Sequence, residues 1–154
     1  KAVDLFDFTL SDGGGGDGLS FDVTQIVLAT SGTADFNAVT WLLNGPDASS
    51  VTGTVGSNTL TFSGLSISVA EGAGETYTVS GYFNDVSQVV DNETYLLSID
   101  GDTGLTVAST GSLISGSNST VSNSGTAVVI PTFAEYVSWL LGATMAAYAA
   151  WRLR

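Results

Sequence analysis

The chain has no cysteine and no histidine among its 154 residues. Without imidazole or thiolate groups it cannot build a Ser-His-Asp triad or a cysteine nucleophile, and the usual zinc, copper and haem ligands are missing. Disulfides are excluded as well, so cysteine usage does not indicate the redox compartment. The carboxylates remain, and a pair of them could hydrolyse glycosides. The acidic residues are scattered over turns and no pair is selected, so we predict a protein without enzymatic activity.

Basic residues are scarce. Lys1, Arg152 and Arg154 oppose fifteen acidic residues, and the net charge is −12. Nucleic-acid binding depends on Lys and Arg that displace counterions from the phosphates, so DNA and RNA partners are excluded. Only 12% of the residues are charged while 44% are hydrophobic, which excludes disorder. The surface must therefore consist largely of Ser, Thr, Asn and Gly, a composition more typical of secreted β-proteins than of cytosolic enzymes.

Short apolar runs with period-2 spacing recur from residue 3 to about residue 130. Phe6, Phe8 and Leu10 form one such run, and Gly, Asn, Asp and Ser separate it from the next. Regular short strands with turn residues between them are typical of a sandwich or a barrel. We predict an immunoglobulin-like β-sandwich over residues 1–130, with Trp41 in its core. The glycine run 13–16 lacks the Lys of a phosphate-binding loop and is predicted to be a hairpin tip.

Residues 108–125 are rich in Ser and Gly and almost uncharged. Such a composition is compatible with a flexible linker. The alternative is a long hairpin that leads to a last strand at 126–131. Because Leu113, Ile114 and Val121 are the sparse apolar residues here, an ordered loop with one weak strand is the preferred interpretation.

The composition changes abruptly at Pro131. Phe133 to Trp151 is nineteen residues long with Glu135 as its only charge. As a helix it would be roughly 28 Å long, close to the thickness of a hydrocarbon core. We predict a transmembrane anchor over residues 131–154, with an amphipathic helix packed on the sandwich or on a partner as the alternative.

The flanks of this segment predict its orientation. Aromatic residues near both ends and arginines at one end are typical of membrane interfaces, and the basic end marks the cytoplasmic side. The residues concerned are Tyr136, Trp139, Tyr148, Trp151, Arg152 and Arg154. Every fourth position carries a small residue, a pattern that lets membrane helices approach closely. This stripe consists of Ser138, Gly142, Ala146 and Ala150, and it predicts packing against helices of other membrane proteins.

The junction before this helix contains a short motif, Ile130-Pro131-Thr132-Phe133-Ala134-Glu135-Tyr136. Followed by a hydrophobic helix and arginines, it resembles the IPTL-type C-terminal sorting tails of Gram-negative surface proteins. The β-region is similar to immunoglobulin-like repeats of large bacterial surface proteins, on the stretches 8–14, 62–67 and 100–103. The resemblance implies a bacterial envelope protein, and stalk or adhesive roles for the domain.

Two acidic loops are candidates for a Ca²⁺ site. Asp12 and Asp17 bracket four glycines, and Asp100 and Asp102 flank Gly101. Carboxylates on tight turns suit an oxygen-liganded cation, but Asp and Gly are also ordinary turn residues. Plain turns are the favoured interpretation. Glycan binding by exposed aromatics such as Tyr82 or Phe83 is less favoured than packing of those side chains.

The sequence thus predicts a non-enzymatic, membrane-anchored module outside the cytoplasm. We expect an accessory single-span subunit in the bacterial inner membrane, with its β-domain in the periplasm and its helix packed in a larger complex. The alternative is a surface adhesin or glycan-binding stalk module that is sorted through the tail. Lys1 leads directly into a strand pattern, so we also expect that a signal was removed or that a longer chain precedes it.

Overall fold

Eleven β-strands make up most of the described part of the computed structural model, which covers residues 1–13, 16–108, 112–114, 118–123 and 126–127. The strands are β1 Val3–Ser11, β2 Phe21–Gly32, β3 Val39–Gly45, β4 Ala48–Thr52, β5 Thr54–Gly56, β6 Thr59–Val69, β7 Gly74–Phe83, β8 Thr94–Asp100, β9 Leu105–Val107, β10 Thr120–Ser122 and β11 Thr126–Ala127. Two short 3-10 helices, Phe36–Ala38 and Val86–Gln88, lie in loops. The prediction of a mostly β domain is confirmed.

The strands form two antiparallel sheets. Sheet A has the order β1-β7-β3-β4, and sheet B has the order β10-β8-β2-β6-β5. The long strand β2 pairs with β9 near its start and with β8 near its end, while β11 also pairs with β8. Alternate residues of both sheets point into one shared apolar core, so the molecule is a β-sandwich.

The strand order can be compared with the immunoglobulin arrangement, in which the strands order as A-B-E-D and C-F-G. The central pairs agree, because β2 lies beside β6 and β3 lies beside β7. The terminal strands are exchanged: β1 pairs with β7, and β8 pairs with β2. The connections 12–20 and 84–93, of nine and ten residues, cross between the sheets at these points. A period-2 pattern predicts strands and buried faces but not which edges pair, so the sequence did not show this exchange.

Trp41 lies in the core, as predicted. Its side chain is 1% exposed, and its indole Nε1–H donates to the carbonyl oxygen of Phe36 at 3.0 Å. The Phe36 and Tyr95 rings pack on it, with centroids 5.4 and 5.6 Å away. The 3-10 helix that carries Phe36 is capped at its N-terminus by Asp35, whose carboxylate accepts the Asn37 N–H at 2.9 Å.

The strand β6 joins two apolar runs that look separate in the sequence. Phe62 and Leu65 are both buried although they lie three residues apart, and Val23 and Ile26 repeat that spacing on the neighbouring strand β2. The register between the two strands shifts at Val23/Gln25. At this β-bulge the alternation of inward and outward side chains shifts by one residue in both strands, so the apolar residues on either side of it all point into the core.

Part of the Ser/Gly-rich segment pairs with sheet B. The strand β10 runs antiparallel to β8, with Val121 opposite Ile99. Asn123 continues the pairing with its side chain, since its Oδ1 accepts the Leu97 N–H at 3.0 Å and its Nδ2 donates to the Tyr95 carbonyl oxygen at 3.2 Å. The weak strand predicted in this segment is therefore present at Thr120–Ser122.

Candidate functional site

A groove opens where the edge of sheet A faces the edge of sheet B. One side of it is the end of β1 from Phe8 to Ser11, followed by Asp12 and Gly13, and the other side is the part of sheet B around Ile99, Leu105 and Val121. Its volume is about 640 Å³. We call this cavity the seam groove. Its lining includes hydroxyl-bearing residues such as Thr9 and Ser112 and apolar residues such as Leu19 and Ile114, so it offers hydrogen bonds and apolar contact together.

Exposed apolar side chains converge on the seam groove. Six large apolar residues are exposed in the described part of the chain, and Leu19, Leu113 and Val121 among them line this one cavity. Their exposed fractions are 49%, 79% and 41%. They come from three separate segments, the connection 12–20, the loop residues 112–114 and β10. A cluster of exposed apolar side chains beside a cavity is typical of an interaction site, whereas single exposed apolar residues are ordinary.

One wall of the groove is the outer edge of β1. The Asp12 N–H donates to the Ala73 carbonyl oxygen at 3.0 Å, so the even-numbered positions at this end of β1 bond to β7. Thr9 and Thr76 are directly opposite, and their hydroxyl oxygens lie 3.1 Å apart, as in a non-hydrogen-bonded pair. The backbone N–H and C=O groups of Thr9 and Ser11 consequently point away from β7.

β1 is the longest of the four strands at the ends of the two sheet orders. β1 has nine residues and pairs with β7 alone among the described strands. The edge strands β4, β5 and β10 have five, three and three residues. Proteins commonly protect sheet edges by keeping edge strands short or by placing Lys or Pro on them. β1 has neither Lys nor Pro between Val3 and Ser11, but it carries the exposed Asp4 and Asp7, and its register with β7 shifts between Asp4 and Phe6. The regular part of this edge therefore runs from Phe6 to Ser11.

Asp22 holds the two loops that flank the groove against sheet B. Its Oδ1 accepts the hydroxyl groups of Ser20 at 2.8 Å and Ser68 at 2.7 Å. Its backbone N–H donates to Ser112 Oγ at 2.7 Å, and Ser112 Oγ donates to the Ser20 carbonyl oxygen at 3.4 Å. Ser20 and Ser112 adjoin Leu19 and Leu113 in the chain, so these bonds also fix the positions of the two leucines.

The Asp22 network predicts a pH-dependent contribution to stability. The hydrogen bond from Ser68, followed by that from Ser20, lowers the pKa of Asp22 below its ordinary value. A lowered folded-state pKa stabilises the fold above the unfolded-state pKa of about 4, and this contribution is lost as the pH falls through the folded-state pKa. We expect the urea midpoint of wild type to exceed that of Asp22→Asn at neutral pH, and the difference to shrink as the pH falls below about 4. Ser68→Ala should show the same trend, and a difference independent of pH would contradict it.

The structure brings the two predicted Ca²⁺ loops to the same end of the sandwich. Asp12 and Asp17 line the seam groove, as does Gly101, which lies between Asp100 and Asp102. Asp17 Oδ1 accepts the Leu19 N–H at 3.0 Å, and Asp100 Oδ1 accepts the Asp102 N–H at 2.8 Å. Both are the local bonds of an Asx-turn. Among the residues that the structure describes, no group of three or more carboxylates could hold a metal ion.

Asp102 makes a further contact across the loops. Its Oδ1 accepts two donors of Asn118, the backbone N–H at 3.0 Å and the side-chain Nδ2 at 2.8 Å. The carboxylate thereby ties the β8–β9 turn to the residues that precede β10. The Ca²⁺ hypothesis stays open, and the observed role of Asp102 is to position one wall of the groove.

The remaining predicted site residues fall in two groups. Tyr82 is 42% exposed, while Phe83 is half-buried and packs near Tyr95 with ring centroids 6.3 Å apart. The predicted anchor at 131–154 and the whole sorting-like motif from Ile130 lie outside the described residues. In the ranges that the structure does describe, no helix has the length and apolar character needed to cross a bilayer.

The sequence did not single out the seam groove. Leu113 and Val121 stood out only as sparse apolar residues in a polar segment, and Leu19 gave no signal. These residues are far apart in the chain, and a strand pattern does not tell which edge stays open. Comparison with known proteins finds no matching family model, no similar curated protein and no similar solved structure.

Proposed function

We propose that this protein is a non-catalytic interaction module that binds another protein through the seam groove. The observation that carries the proposal is the convergence of Leu19, Leu113 and Val121 on one cavity beside the long edge of β1. Burying such apolar surface contributes about 25 cal/mol per Å². A partner that covers the groove gains this term and can also bond the outer backbone groups of β1.

The proposal includes a membrane anchor and an accessory-subunit role. The support is in the sequence: a nineteen-residue apolar segment, interfacial aromatics and the final arginines. On this proposal the β-domain lies on the periplasmic side of a bacterial inner membrane, and the helix packs in a larger complex. The pairing of β2 with β6 and of β3 with β7 supports an immunoglobulin-like origin for the domain, with its terminal strands exchanged.

The test is native electrophoresis of the full chain after mild detergent extraction from the membrane. Wild type is expected to co-migrate with a larger complex. Leu113→Asp should reduce that co-migration at least about tenfold, because it places a charge in the apolar contact. Val90→Asp is the matched control, since Val90 is 51% exposed and does not line the groove. Wild type that migrates at the mass of the single chain contradicts the proposal, as does an equal loss with both variants.

A second candidate is a surface adhesin or glycan-binding stalk module. The motif from Ile130 to Glu135 favours it, because the resemblance to sorting tails implies export followed by removal of the anchor. Intact-mass measurement on the protein from cells separates the two candidates. A chain that ends upstream of Phe133 would contradict the retained anchor, whereas a mass that includes Arg154 would contradict processing.

A further inference from the structure

The outer edge of β1 has the geometry of a strand-accepting site. Asp7, Thr9 and Ser11 occupy alternate positions, and the register with β7 turns their backbone N–H and C=O groups outward. Peptides in extended conformation bind such edges by adding a strand, with main-chain hydrogen bonds for affinity and alternate side chains for specificity. The groove runs along this edge from Phe8 to Ser11, so an added strand would have space beside it.

The two faces of β1 define the side chains that an added strand should carry. Phe8 and Leu10 point into the core, and a strand beside them would direct every second side chain toward the apolar walls of the groove. Asp7 and Thr9 lie on the exposed face, so the intervening side chains would be their lateral neighbours. The added strand should therefore alternate apolar residues with residues that suit an acidic surface.

Charge decides which polar residues fit. Asp7 on the exposed face and Asp17 in the groove wall are acidic, and the chain as a whole carries −12. Lys or Arg at the polar positions would be attracted, and acidic residues would be repelled. A second copy of this chain fits poorly, because two β1 edges side by side would bring Asp4 and Asp7 of both copies together.

We infer that β1 binds an extended segment of a partner protein in which apolar residues alternate with Lys or Arg, added as a further antiparallel strand to sheet A. This inference rests on the proposed function and specifies how the partner is recognised. The outward N–H and C=O groups of Thr9 and Ser11 provide the affinity for the peptide backbone. The acidic surface beside Asp7 provides the selectivity for Lys or Arg.

Synthetic peptides test the inference directly on the full chain in detergent micelles. The probe is a fluorescent nine-residue peptide in which Val alternates with Lys, matched to the nine residues of β1. Two controls have the same length: one with Glu in place of Lys, and one with N-methylated Lys, because the Lys residues lie opposite Thr9 and Ser11 in an antiparallel pair and turn their N–H groups toward β1. By fluorescence anisotropy, corrected for binding to empty micelles, we expect both controls to bind at least about tenfold more weakly. Equal binding of the N-methylated peptide would exclude the inferred antiparallel strand addition, and equal binding of the Glu peptide would exclude the charge rule.

Substitutions in β1 remove the same interactions from the side of the protein. Thr9→Pro removes an outward N–H while the bonds to β7 remain, which edge strands tolerate. We expect at least about tenfold weaker binding. Asp7→Asn should weaken binding about two- to fivefold and reduce its salt dependence. If Thr9→Pro does not fold, the N-methylated peptide still decides the question.

Hydrogen exchange identifies other occupants of the edge. The amides of Thr9 and Ser11 should exchange rapidly in the protein alone and become protected when the Val/Lys peptide is added. Protection without peptide that persists on dilution would mean that another part of this chain occupies the edge, and protection that is lost on dilution would mean a second copy. Either result overturns the inference. A complex that survives extraction while no peptide binds would leave the proposed function standing and reject strand addition alone.

Discussion

Trp41→Ala is expected to lower the free energy of unfolding by about 3–5 kcal/mol, the range for removing a large buried aromatic side chain. Trp41 is 1% exposed and contacts the rings of Phe36 and Tyr95. Its truncation leaves a cavity between the two sheets. It also leaves the buried Phe36 carbonyl oxygen without its indole donor. Domains of this kind are typically stable by about 5–15 kcal/mol, so the loss is about a fifth or more of the total.

Urea unfolding followed by circular dichroism measures this loss. Trp41→Phe separates the two causes, because it keeps most of the ring volume and removes the hydrogen bond; we expect a cost of about 1–3 kcal/mol. Tyr82→Ala is the control, since Tyr82 pairs across from Thr40 next to Trp41 and is 42% exposed. That control should change stability by less than about 1 kcal/mol. A Trp41→Ala protein as stable as Tyr82→Ala would show that the aromatic cluster contributes little.

Gly32→Ala has the second large expected effect. Gly32 has φ +117°, a conformation that residues with a side chain rarely adopt. A Cβ there would also lie 2.9 Å from the carbonyl carbon of Thr94, and its contact with the carbonyl oxygen would be closer still. That oxygen accepts the N–H groups of Thr33 and Ala34, both at 3.2 Å, so it cannot move without breaking both bonds. Strain and overpacking together should cost about 3 kcal/mol or more.

The control for Gly32→Ala is Gly13→Ala. Gly13 has no atom within 4 Å of the added Cβ and no positive φ, so stability should change by less than about 0.5 kcal/mol. Thermal unfolding of the two variants under one buffer condition compares them. Similar melting temperatures for both would contradict the close approach of β2 to Thr94. Neither Trp41 nor Gly32 lines the seam groove, so these variants test the fold separately from binding.

The strands were predictable because each segment encodes its own period. Phe6, Phe8 and Leu10 alternate with polar residues, and they are all buried on one face of β1. Trp41 was predictable for a related reason, since a large aromatic residue within an apolar strand pattern has its largest gain in the core. The merged strand β6 was not, because the two-residue step at Ser63-Gly64 looks like a turn until the matching bulge in β2 is known.

The candidate site was predictable only in fragments. Asp12, Asp17, Asp100 and Asp102 were recognised as turn residues, and two of them carry the local bonds of Asx-turns. That the two loops share one cavity with Leu19 and Leu113 was not predictable. These residues are separated by up to about a hundred positions, and the pairing of distant strands brings them together.

The sequence by itself determined the β-class, the positions of the long strands and the acidic, histidine- and cysteine-free surface, because composition and period-2 alternation are local properties of the chain. It also carries the apolar segment and arginines on which the proposed anchor rests. Only the tertiary structure decided that β1 joins β7 and that β8 joins β2. Every strand edge offers the same backbone N–H and C=O groups, so these groups do not determine which strands pair. The packing of side chains across the whole core does. The same packing leaves the outer edge of β1 facing a groove.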